Sequence, residues 1–135
     1  MVLLIDANVI LDVLLNRQEF AKDSSIIWKL CETGKVKGYV SALTFANLVY
    51  IMRKQLNSKA IEDVFQKLNL IFDFTDFSVS DLTRAAEWNW EDFEDAIQSA
   101  TAERVQADYI ITRNVRDFSK SKVIAFTPSE LLARI

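Results

Sequence analysis

Two rhythms of apolar residues alternate along this chain: short unbroken runs, and longer stretches with apolar positions three and four apart. Val2 to Ile5 is the first run, ends at Asp6, and reads as a strand buried on both faces. Val9, Ile10, Val13 and Leu14 then recur at helical spacing over Ala7 to Leu15, with Asp6 or Asn8 available as the cap. A second helix is predicted over Glu19 to Thr33, turning Phe20, Ile26, Ile27, Leu30 and Cys31 inward and ending at Gly34. Val36 to Val40 makes a second strand, after which Ser41 caps a third helix running through Tyr50 to Arg53. Asn57 and Ser58 mark a break. A fourth helix follows over Lys59 to Leu68, with Ile61, Val64, Phe65 and Leu68 on one stripe, and Leu70 to Phe74 is the third strand.

The second half repeats the alternation. Ser78 or Ser80 opens a helix through Trp88, another helix lies within Asn89 to Val105, and Asp108 to Ile111 leads into a fourth strand that stops at Thr112. Lys122 to Phe126 is the last strand, and Thr127-Pro128 begins a terminal helix that packs Leu131, Leu132 and Ile135 inward. Short strands separated by helices, with no hairpin turns, predict an α/β fold with a parallel sheet covered by helices on both faces. Ligands of such sheets sit beyond the carboxyl ends of the strands. No linker or repeat interrupts the order, so residues 1–135 are expected to form a single domain.

Composition narrows the chemistry. The chain has no histidine and one cysteine, which removes histidine-based triads, cysteine-rich zinc sites and internal disulfides. Its two glycines, Gly34 and Gly38, cannot build a phosphate-cradling loop. Carboxylates are left as the main catalytic candidates, and an oxygen-only ligand set suits magnesium or manganese. The formal charge of −3 counts against charge-driven wrapping of nucleic acid but leaves room for a local basic rim. Neither a signal peptide nor an apolar run long enough to span a membrane is present, so a cytoplasmic protein is expected.

The acids fall into three segments, each placed near a strand end or a helix start. Asp6 closes the first strand, where it serves equally as a helix cap or as a site residue. Asn8 and Asp12 share one face of the next helix, and Asp12 reads as solvated or locally bonded rather than as a ligand. Asp92 and Asp95 lie one turn apart in the densest acidic stretch, either as helix-start acids or as partners around one metal. Ala96, Ile97 and Ala100 put Asp95 at an apolar boundary, where a carboxylate needs a partner. Thr112, Asn114 and Asp117 lie just past the fourth strand. Carboxylates gathered there would repel one another unless divalent cations neutralised them, and such cations activate water against a phosphodiester. Water attack leaves a 3′-hydroxyl and a 5′-phosphate. Trp88 and Trp90 suit stacking on a base as well as they suit a core or a dimer contact.

The runs Asp6-Ala7-Asn8-Val9-Ile10-Leu11-Asp12, Asp92-Phe93-Glu94-Asp95-Ala96 and Ile111-Thr112-Arg113-Asn114-Val115-Arg116-Asp117-Phe118, taken in order, resemble the PIN-domain family, particularly its prokaryotic toxin-like (VapC-like) members. The resemblance implies a three-layer α/β/α fold around a short central parallel sheet. It implies a metal-dependent endoribonuclease using Mg2+ or Mn2+, commonly the toxin of a toxin–antitoxin module, homodimeric and held inactive by a small antitoxin protein. The family's acids fall on Asp6, Asp95 and Asp117, with Thr112 and Asn114 as companions and Asp92 supporting the metal shell. Asn8 orients Asp6 and, with Arg113 and Arg116 at the border of the site, meets the RNA. The family's second acid, usually a glutamate of the third helix, falls within Ser41 to Tyr50, where this chain has Asn47. An asparagine can offer a carbonyl oxygen to magnesium but carries no charge and cannot act as a base. That departure sets a second reading beside the first: a catalytically impaired domain that binds RNA or protein.

Overall fold

The computed structural model describes residues 1–135. Five strands, β1 (Val2–Ile5), β2 (Lys37–Ser41), β3 (Asp73–Thr75), β4 (Tyr109–Ile111) and β5 (Ile124–Phe126), form one sheet in the order β3-β2-β1-β4-β5. Every pairing is parallel; Leu4 aligns with Tyr39 on one side and with Ile110 on the other. The order reverses at β1, so the chain winds outward in both directions and leaves a crevice at the carboxyl ends of β1 and β4.

Alternation along β1 divides the core. Leu3 and Ile5 pack on the face covered by α1 (Ala7–Leu14), α2 (Gln18–Glu32), α4 (Ser58–Ile71) and α7 (Pro128–Leu132). Leu4 and Ile110 face the other way, against Ala102 of α6 (Phe93–Arg104), Phe118 of a 3-10 turn (Val115–Phe118) and Ala125. The remaining helices are α3 (Ala42–Ile51), which leaves β2, and α5 (Val79–Trp88), which packs on α6 through Ala85, Ala96 and Ile97. This is the three-layer α/β/α arrangement that the alternation of strands and helices implies.

Caps account for several boundaries. Asp6, Ser41, Asn57, Ser78, Asp92 and Thr127 each accept a backbone N–H at a helix start, and Ser78 and Thr127 complete reciprocal capping boxes with Asp81 and Glu130. Gly34, at φ +77°, follows α2 in the left-handed region. Gly38 is required for a different reason: a Cβ there would stand 2.6 Å from Cys31 Sγ and 3.0 Å from the Phe72 ring.

The structure corrects the expected elements in three places. Helix α4 continues to Ile71, so the third strand is Asp73–Thr75 rather than Leu70 to Phe74, and Leu70 is 85% exposed. A short apolar run fits helix or strand equally, and here the buried stripe through Leu68 extends to Ile71. The helix expected within Asn89 to Val105 is α6: Asn89 ends α5 in the left-handed region and Asp92 opens α6. In α2 the inward stripe is Ser24, Ile27, Trp28 and Cys31, while Phe20 and Ile26 are exposed. Phe65 is 41% exposed although its ring packs against Phe45 and Phe74, and Ile135, past the end of α7, is exposed as well.

Candidate active site

Asp6 follows β1 directly, and its backbone N–H donates to Ile111 O of β4 at 2.9 Å, which fixes its Cα at the crevice. Its carboxylate has two functions at once. Oδ1 accepts the Ala7 N–H at 2.8 Å as the cap of α1, while Oδ2 accepts the Thr112 hydroxyl at 2.7 Å and the Asn8 amide at 3.3 Å. Asn8 Oδ1 in turn accepts the Arg113 N–H, and Thr112 Oγ1 accepts the Asn114 N–H at 3.0 Å. These contacts lace the loop after β4 to the loop after β1. Burial pushes the Asp6 carboxyl above its ordinary range, opposed by hydrogen bonds from Thr112, Ala7 and Gln98 and reinforced by the charge of Asp117.

Helix α6 brings its first turn to the same crevice. Asp6, Asp95, Glu94, Asn47, Thr44 and Gln98 line one cleft. Burial first, and then the charges of Asp92, Asp6, Asp117 and Glu94, push the Asp95 carboxyl up to about 7. Asp92 Oδ1 accepts the Asp95 N–H at 3.0 Å, so Asp92 caps α6 as well as repelling Asp95. A second cleft runs off the first through Asp95 and is lined by Asp92, Asp117, Arg116, Lys120 and Trp90. Asp6, Asp95 and Asp117 therefore belong to one electrostatic group, reached from three distant stretches of sequence.

No three acids stand close enough to enclose an ion on their own. The donor set nonetheless suits a hard cation: it is all oxygen, and burial, reinforced by neighbouring acids, raises the carboxyls of both Asp6 and Asp95. Magnesium keeps several waters and needs only one or two carboxylates, so an open pair fits it better than a closed cage would.

Asn47, which stands where a glutamate was expected, donates its amide to Glu94 Oε2 at 3.1 Å. The cleft thus has a carboxylate at that point, supplied by α6 instead of α3. Glu94 was hidden in the sequence among four acids within five residues. Gln98 was also missed. It is almost fully buried, donates to Thr44 Oγ1 at 2.9 Å, lines the cleft with Asp6, and leaves its Oε1 without a partner. Its signal was a polar residue on the buried face of α6 one turn after Asp95.

Three expected substrate or site contacts are employed otherwise. The Arg113 guanidinium turns away from the acids: Nε lies 3.1 Å from Asp12 Oδ2, without hydrogen-bond alignment, and the group covers the Phe20 ring at 4.2 Å. Asp12, expected to be solvated or locally bonded, is fully buried and also accepts from Ser24 at 3.3 Å. Asn8 spends its side chain on Asp6, Thr112 and Arg113, an arrangement suited to orienting the Asp6 carboxylate. Asn114 is exposed at the start of the 3-10 turn, and its backbone, not its side chain, takes part in the lacing. Of the two expected cationic contacts, Arg116 lines the cleft of Asp92, Asp95 and Asp117, whereas Arg113 lines a different cleft beside Glu19 and Asp23.

Comparison with known proteins agrees with this fold. No curated protein matches in sequence. Among solved structures, a toxin–antitoxin complex from Klebsiella pneumoniae superposes with a TM-score of 0.69 at 21% identity, covering 93% of this chain and 96% of the other. VapBC-1 from nontypeable Haemophilus influenzae gives 0.72 at 16% identity, covering 96% and 99%. VapC20 from Mycobacterium tuberculosis, a sarcin–ricin loop cleaving toxin, gives 0.68 at 10% identity, covering 90% and 96%. At these identities the likeness is one of fold. The family profile described as PIN domain matches residues 2–116, from β1 through β4 and α6 to the residue before Asp117, and the chain belongs to the PIN domain family.

Proposed function

We propose that this protein is a divalent-cation-dependent endoribonuclease, acting in the cytoplasm as the homodimeric toxin of a toxin–antitoxin pair and restrained by a small antitoxin protein. The observation that carries the reading is the meeting of Asp6 and Asp95 in one cleft at the carboxyl ends of β1 and β4, with Asp117 joined to Asp95 by the adjoining cleft. Membership of the PIN domain family supports it, as do the toxin–antitoxin complex and the RNA-loop-cleaving toxin among its structural neighbours.

The Asp6 and Asp95 pair would hold Mg2+ or Mn2+, with Asp117, Glu94 and Asp92 adding negative charge around it. When bound, the cation supplies neutralisation of the crowded acids and polarisation of phosphate and water. The remaining tasks belong to the chain. Thr112 and Asn8 hold the Asp6 carboxylate in one orientation. Asp95, whose carboxyl is pushed up to about 7 by burial and its acidic neighbours, would give up its proton to serve as a ligand when a cation is held there. Arg116 and Lys120 offer cationic contacts to the phosphates of the strand. Hydrolysis by water leaves a 3′-hydroxyl and a 5′-phosphate.

The test is cleavage of RNA with magnesium or manganese by the wild type, Asp6→Asn and Asp95→Asn. Cation-dependent cutting that is lost in both variants supports the enzyme. Cutting that persists in both sinks the site. Asn47 favours a second reading, a domain that binds RNA without cutting it; stoichiometric binding with no product from the wild type would establish that reading instead.

A further inference from the structure

We infer that Trp88 and Trp90, together with Lys120 and Lys122, form a nucleotide subsite that holds an unpaired stretch of RNA beside the acid cluster. The inference rests on the ribonuclease reading and adds the path of the strand. Trp88 closes α5 and Trp90 lies just before α6; between them Asn89, at φ 56°, takes the left-handed turn. The two rings stack 5.6 Å apart with 29° between their planes. Both indoles pack partly on the Ala85–Ala96–Ile97 cluster, which holds the pair rigid.

A cleft is lined by both indoles, Ser99, Glu103, Lys120 and Lys122. Glu103 is its only acid and is neutralised by Arg84 at 2.8 Å, whose guanidinium also lies 5.2 Å from the Trp88 ring centre. Neither lysine is engaged in an ion pair. Trp90 and Lys120 also line the cleft of Asp92, Asp95, Asp117 and Arg116, so the aromatic and basic strip is continuous with the proposed site.

The faces the two indoles turn toward each other are taken, so a base of a single strand would meet the part of the pair that lines the cleft, while its phosphates meet the ammonium groups. A paired helix keeps its bases inside and gains only the charge. On a chain of net charge −3 this local positive strip also gives an anionic strand a place to approach.

The experiment is a titration of the full chain with a hexauridine strand and with an RNA hairpin stem, in buffer without divalent cations, read by tryptophan fluorescence. Trp28, 6% exposed in the core, supplies a constant background. Quenching by the single strand is expected, with weaker binding of the stem. The double variant Lys120→Glu/Lys122→Glu, both positions being exposed, should weaken single-strand binding at least tenfold. Trp88→Leu, checked for folding by circular dichroism, should remove most of the quench. Unchanged affinity in the double variant, or binding of the stem as tight as that of the strand, would overturn the subsite and leave the nuclease reading standing if RNA is still cut. Wild-type protein that neither binds nor cuts RNA would remove both.

Discussion

The Thr112 hydroxyl donates to Asp6 Oδ2 across 2.7 Å, joining the residue after β4 to the residue after β1. Thr112 is fully buried, so its bond is not exchanged with water. This bond opposes the effect of burial on the Asp6 carboxyl. In Thr112→Val the Asp6 carboxyl should therefore rise further. Activity should fall about tenfold, the cost of one hydrogen bond to a charged group, and recover in part at higher pH. A carboxyl titration by NMR together with a pH–rate profile checks this; an unmoved Asp6 titration contradicts it.

Asp95 makes stability depend on pH. Its carboxyl lies near 7 in the folded chain against an ordinary 3.8, so the folded state keeps a proton that the unfolded state releases. That contribution is complete below pH 3.8 and is lost as the pH rises through about 7. Without divalent cations, Asp95→Asn should be more stable than the wild type at pH 8, by on the order of 1 kcal/mol. Added magnesium should raise the wild-type melting temperature at that pH and leave the variant almost unmoved. Calorimetry at the two pH extremes measures both effects.

Glu94 and Asn47 have separable roles. Glu94→Gln removes a charge from the cleft and should weaken magnesium binding about tenfold, while also bringing the Asp95 carboxyl down. Asn47→Ala frees Glu94 without removing the charge and should cost less. Isothermal titration with magnesium decides the order, and the reverse order would make Asn47 itself the ligand.

Helix α5 is locked onto α6 by Asp81 and Arg104. Arg104 donates from Nε and Nη2 to the buried Asp81 carboxylate at 3.0 to 3.1 Å. Burial alone would raise this carboxyl, and the Arg104 bonds together with the Ser78 N–H hold it below its ordinary value. The stabilisation is therefore present above pH 3.8 and lost as the pH falls below it. Asp81→Asn should cost about 3 kcal/mol in urea unfolding at pH 7, and much less near pH 3.

How far the site could be read from the sequence depends on the range of each interaction. Asp6 and Ser41 were legible because an apolar run stops at each and a helix starts, a purely local signal. Asp95 was legible because Ala96 and Ile97 beside it are apolar enough to imply burial. Glu94 was not, since neighbouring helical residues point about 100° apart and only the position of α3 decides which acid meets Asn47. Arg113 and Asp12 form a pair that needs α1 and the loop after β4 to be adjacent in space. The overextended third strand has the opposite cause: Leu70 and Ile71 carry local strand propensity that the helical stripe from Leu68 overrides.

Cys31 lies under Gly38 and beside Phe72, and burial with the charge of Asp73 pushes its thiol up to about 12. At neutral pH it carries almost no thiolate, and its sulfur is shielded by the strand whose missing side chain makes room for it. For maleimide labelling the chain therefore behaves as if it had no cysteine. A single cysteine engineered on the rim can then carry a fluorophore or spin label to report on partners, with no need to replace the native thiol and disturb the packing between α2 and β2.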